Sequence, residues 1–189
     1  MALGIVIGAL TILAVRFLTY APESTHYHAN FALYINGQRE EFKDPSNYES
    51  IGQACDEHEE MTPLERTHMH DNINDVVHVH HNAVTWGQFF TNLGWVIDAK
   101  VIATPDQTLV PRDSSKITFI LNDEVTDNIS NRVIGDEDKL LVDYGSSSDL
   151  KKEYESVATT AHKYNQSKDP KSCGSQAAPR FSDRLKHLF

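Results

Sequence analysis

Three H-x-H pairs, His26/His28, His68/His70 and His78/His80, with His81 directly behind the last, hold seven of the chain's ten histidines. In a β-strand successive side chains alternate between faces, so two histidines separated by one residue project from the same side and can converge on one ion. Imidazole nitrogen suits zinc, copper, iron and nickel; a set of three or four imidazoles without carboxylate favours zinc or copper. These seven residues are the candidate metal ligands, and zinc or copper is the expected cofactor. A structural zinc closes its shell with four protein ligands, whereas a catalytic one keeps a position for water, and the pairs alone do not choose between the two. Glu65, Asp71 and Asp75 lie near the later pairs and are candidate bases or outer-shell acids.

Other chemistries are poorly represented. The chain contains no G-x-S-x-G elbow and neither the G-x-x-x-x-G-K-[ST] nor the G-x-G-x-x-G phosphate loop, so a nucleophilic hydrolase and a nucleotide partner are not expected. With 27 acidic against 17 basic residues the formal charge is −10, which repels a phosphate backbone and excludes nucleic acid as a partner. Asp136-Glu137-Asp138 lacks the alternating oxygen ligands of a calcium loop and is read as a turn before an edge strand.

The elements that must position the histidines follow from periodicity. Tyr27, Ala29, Phe31, Leu33 and Ile35 alternate with polar positions, which predicts a half-buried strand with His26 and His28 on its opposite face. Asn36-Gly37 is the two-residue turn of a type I′ hairpin, with a returning strand over 38–42. Residues 67–81 predict a second hairpin around Asp71 to Asp75. If His68 pairs with His78, then His70 and His80 share their face, while Val77 and Val79 point into the core; a slip of one residue would separate the pairs. Thr85 is the expected N-cap of a short helix over 86–93 stopped by Gly94, followed by strands over 95–103, 116–121 and 139–144. Leu150, Tyr154, Val157, Ala158, Ala161 and Tyr164 recur at helical spacing and predict one amphipathic helix over 149–164, capped by Ser148, before an amphipathic tail.

The first twenty residues are apolar apart from Thr11, Arg16 and Thr19, a pattern that predicts an uncleaved single-pass anchor. Cys55 and Cys173 form an even pair that suits a disulfide outside the cytoplasm or two buried thiols. The expected organisation is a transmembrane anchor over 1–20, a linker over 21–25, a histidine-rich ectodomain over 26–147, and a C-terminal helix and tail over 148–189. The fold class expected is α+β: the anchor helix, then a β-rich domain, sandwich or β-grasp-like, with one short internal helix and a C-terminal amphipathic helix.

Cys55-Asp-Glu-His58-Glu-Glu-Met61 resembles the C-x-x-H-x-x-M ligand loop of some cupredoxins, although in that family the loop follows most of a β-sandwich and here only a hairpin's length precedes it. The H-x-H pairs look like those of multicopper oxidases, but the H-C-H motif is missing. His68-Met-His70-Asp71-Asn72 departs from the H-x-H-x-D-H of metallo-β-lactamase-like hydrolases at the aspartate position. No named family accommodates the chain. Function is therefore expected to be that of a membrane-anchored extracytoplasmic metal-binding protein. The alternatives are a structural or interaction subunit that meets membrane proteins or copies of itself, and a metal-dependent hydrolase or oxidase.

Overall fold

The computed structural model describes residues 2–20, 25–48, 62–69, 71–146, 149–166, 181–186 and 188. In chain order the elements are α1 (Ala2–Thr19), β1 (Tyr27–Ile35), β2 (Gln38–Arg39), α2 (Pro63–Arg66), β3 (Thr67–His68), β4 (Val76–Val79), α3 (Trp86–Asn92), β5 (Val96–Asp98), β6 (Val101–Ala103), β7 (Thr108–Leu109), β8 (Lys116–Leu121), β9 (Glu124–Thr126), β10 (Lys139–Gly145), α4 (Leu150–Glu155), α5 (Ala161–Gln166) and α6 (Phe181–Lys186). The chain is α+β, with a β-rich unit of two sheets and few helices. Contacts divide it into two units, residues 25–174 and a second containing α1 and α6.

The main sheet runs β3-β4-β1-β10-β8-β9, with β2 also on β1, and β5-β6-β7 form a smaller one. Its centre is the parallel pair β1 and β10; every other ladder is antiparallel. Asn36 and Gly37 turn the first hairpin at φ 52° and 76°, the left-handed pair that a type I′ turn needs. Asn122 and Asp123 do the same between β8 and β9. Thr85 caps α3 through a capping box with Gln88, and Gly94 at φ 76° ends it. Trp86, Phe89 and Phe90 of this helix pack on Phe31, Phe42 and Trp95 beneath the sheet. The Phe31 and Phe89 rings meet edge to face at 5.1 Å.

The opposite face of the sheet is covered by α4 and α5. Here the expectation of one helix over 149–164 is corrected: it breaks between Glu155 and Ala161. The cause is Asn30, whose Oδ1 accepts from both Thr160 N and Ala161 N at 2.8 Å and so takes the donors that a continuous helix would have used internally. Asp149 occupies the N-cap position of α4 without a side-chain cap hydrogen bond, and Ser148, the expected cap, lies outside the described residues. Residues 95–103 form a hairpin instead of one strand, because Asp98 Oδ1 accepts from Lys100 N and folds the chain back. The returning strand of the first hairpin stops at Arg39, and β10 is central in the sheet, not at its edge.

The transmembrane anchor is overturned. No helix among the described residues is long and apolar enough to cross a membrane. The 18 residues of α1 rise about 27 Å, short of a hydrocarbon core of about 30 Å, with Arg16 in the last turn. The single-pass topology and the membrane localisation of an extracytoplasmic head, both built on that anchor, go with it. Within its own unit α1 meets α6: Phe17 and Phe181 pack edge on at 5.2 Å, and Arg184 Nη1 donates to the carbonyls of Phe17 and Leu18 at 2.7 and 3.0 Å. That cation satisfies carbonyls which the helix leaves without intrahelical donors.

Candidate metal centre

Along the outer face of β1 the side chains run His26, His28, Asn30, Ala32, Tyr34, while Tyr27, Ala29, Phe31 and Leu33 enter the main core on the other face. The ladders place His28 opposite His78 and His68 opposite His78, so three strands bring one histidine each to a common level. That pairing of His68 with His78 is the register the spacing of the pairs requires. Met69, Val77 and Val79 are fully buried in the core, as alternation demands of the residues between the histidines.

One step along the same face, His26 and His80 stack at 4.7 Å, and His26 lies 4.7 Å from the ring of His28. Ligating nitrogens of His26, His78 and His80 all come within 4.8 Å of one another. Atoms so spaced have a common point no more than about 2.8 Å from each, so shifts of under about 1 Å bring them to the 2.0–2.1 Å zinc–nitrogen distance. His78 is buried, and the other two are half-buried. The donor set, three imidazoles and no carboxylate, fits zinc or copper.

His68 and His28 flank this triad. The ring of His68 stacks at 5.0 Å on His80 and 5.9 Å on His78, and its Nδ1–H donates to Leu64 O at 2.8 Å. The carbonyl can only accept, so Nε2 of a neutral His68 keeps its lone pair. His28 Nε2 lies 2.8 Å from His78 Nδ1, so His28 stands behind a candidate ligand. His81 is exposed, its Nδ1–H donating to Asn82 O, and the structure does not bring it into the cluster. His70, His58, Cys55, Met61 and Cys173 lie outside the described residues.

Of the carboxylates considered from sequence, Glu65 accepts from Thr62 N in the capping box of α2, and Asp75 pairs with Arg39 at 3.5 Å. The neighbours of His28 and His78 come instead from α5. Tyr164 covers the rings of His28 and His78 at 5.7 and 6.1 Å, and Asn165 reaches His28 Nδ1 at 2.6 Å. Burial first, then the charges of Asp75 and Asp71, raise the pKa of Tyr164 above its ordinary value. Helical spacing places Tyr164 on an apolar stripe and gives Asn165 no role; a helix some 85 residues beyond the nearest pair carries no local signal of where it docks.

No protein-family model, curated protein or solved structure matches the chain. Geometry alone carries the functional reading.

Proposed function

We propose that the β-rich unit is a metal-binding module that holds zinc or copper through His26, His78 and His80. The observation that carries this reading is the approach of those three imidazole nitrogens to within 4.8 Å, and the register of β1 with β4, which sets His28 opposite His78, supports it. Strand pairing supplies the preorganisation: β4 lies between β1 and β3, so each backbone is held on both sides or against the core before an ion arrives. The order of the main sheet, with its first and last long strands parallel at the centre and α3 across one face, supports a β-grasp-like description of the scaffold.

Three imidazoles leave at least one coordination position. If water fills it, zinc would lower its pKa toward neutrality, the starting point for hydrolysis; if another side chain fills it, the centre is a structural or storage site. Elemental analysis of purified protein tests the common claim. Zinc or copper in near-stoichiometric amount, lost from H26A, H78A and H80A, is expected; wild-type protein that comes and stays metal-free after dialysis against either ion rejects it. Azide binding to the cobalt-substituted protein, read by its visible spectrum, then separates an open from a closed shell.

A further inference from the structure

The hydrogen bonds behind His78 have a direction, and it can be read from one end. Asp136 Oδ1 lies 2.7 Å from the Asn165 amide nitrogen. A carboxylate only accepts, so the nitrogen of Asn165 faces Asp136 and its oxygen faces His28 Nδ1 at 2.6 Å. An amide oxygen also only accepts, so Nδ1 of His28 carries the proton. In a neutral imidazole Nε2 then accepts, and its partner at 2.8 Å, His78 Nδ1, must donate. The consequence falls on the far side of the ring: His78 Nε2, which is buried, holds a lone pair.

We propose that Asp136 and Asn165 are positioning residues of the metal centre: through His28 they hold His78 in the one tautomer whose Nε2 can ligate. This rests on the metal-binding reading of the triad and adds how the central ligand is prepared. Turning the Asn165 amide over would reverse every bond in the chain, placing hydrogen on His28 Nε2 and then on His78 Nε2, where it would block the ion. Asp136 prevents that turn, because the reversed amide would set its oxygen against the carboxylate. The relay also ties the centre to the seating of α5. That helix is held on β1 by Asn30, whose side chain accepts from Thr160 N and Ala161 N and donates to Asp75 O at 3.0 Å, so a displaced α5 withdraws Asn165 from His28.

The test uses the full chain and two variants, N165A and the exchange D136N/N165D. The exchange puts a carboxylate next to His28 and an amide donor behind it, which keeps the direction of every bond. Long-range proton–nitrogen correlation spectra of the metal-free protein near pH 8 are expected to show His28 and His78 protonated at Nδ1 in wild type and in the exchange variant, and mixed tautomers in N165A. Zinc affinity is expected to fall roughly 10–100-fold in N165A and to recover in the exchange variant. Wild-type His78 protonated at Nε2 overturns the proposal, as does N165A with tautomers unchanged and zinc affinity within about twofold of wild type. Should N165A fail to fold, the wild-type spectrum decides by itself. Wild type that shows these tautomers yet binds no zinc would reject the metal reading and leave the relay standing.

Discussion

At the scale of single residues, neighbours in sequence have unlike roles. His80 and His81 are adjacent, but one continues the line of β4 into the triad while the other lies in the bend beyond it, exposed on Asn82. H81A is therefore expected to retain zinc or copper in full and H80A to lose it, as read by elemental analysis; equal loss from both would break the assignment. Gly87 makes a steric point on the other side of the sheet. A Cβ there would sit 2.5 Å from the carbonyl oxygen of Ser130, a backbone atom that cannot step aside. G87A should cost about 1–3 kcal/mol in urea unfolding, although alanine is the better helix former.

At the scale of elements, α4 and α5 are attached to the sheet by polar contacts as well as by apolar burial. Asn30 spends its amide on four partners: Thr160 N, Ala161 N, Asp75 O and Thr160 Oγ1. N30A strands backbone groups at a buried position and should destabilise by about 2–4 kcal/mol, with hydrogen exchange at Thr160 and Ala161 accelerated first. Beneath α4, Asp143 of β10 meets Glu153, both buried. Burial, then the charge and hydrogen bond of Glu153, push the Asp143 carboxyl up to about 7. Its unfolded value is near 3.9, so the folded state binds the proton more tightly. The resulting stabilisation is complete below about pH 4 and is lost as pH rises through 7. Stability of the metal-free protein should fall over that interval, and D143N should flatten the fall; parallel profiles for the two proteins would contradict it.

At the scale of the molecule, an ion bound only by the folded state adds to its stability. Zinc at about 100 times its dissociation constant is worth about 2.7 kcal/mol, which for the β-rich unit is a rise in Tm of about 8 °C, reversed by chelator and absent from H78A. A Tm indifferent to zinc and copper would sink the metal reading. The net charge of −10 sets the cation's surroundings in the same sense, favouring its approach over that of anions.

Much of the scaffold was legible from residue order alone. The alternation from Tyr27 to Ile35, the Asn36-Gly37 turn, the Thr85 cap and the Gly94 stop act over a few neighbours, and such short-range preferences survive folding. The shared face of His26 with His28 and of His78 with His80 was equally legible, since a period of two places both members of a pair on one side; His70, of the third pair, lies outside the described residues. Three things lay beyond reach. The apolar N-terminus reads as a membrane span until the length of its helix is measured, because hydropathy counts residues and not the distance they rise. The break between α4 and α5 depends on Asn30, about 130 residues earlier in the chain. The choice of His26, His78 and His80 as the triad, with His28 behind it and Asn165 behind that, depends on strand register and on where α5 docks. Those are long-range contacts, fixed by the packing of both sheet faces, and no local pattern encodes them.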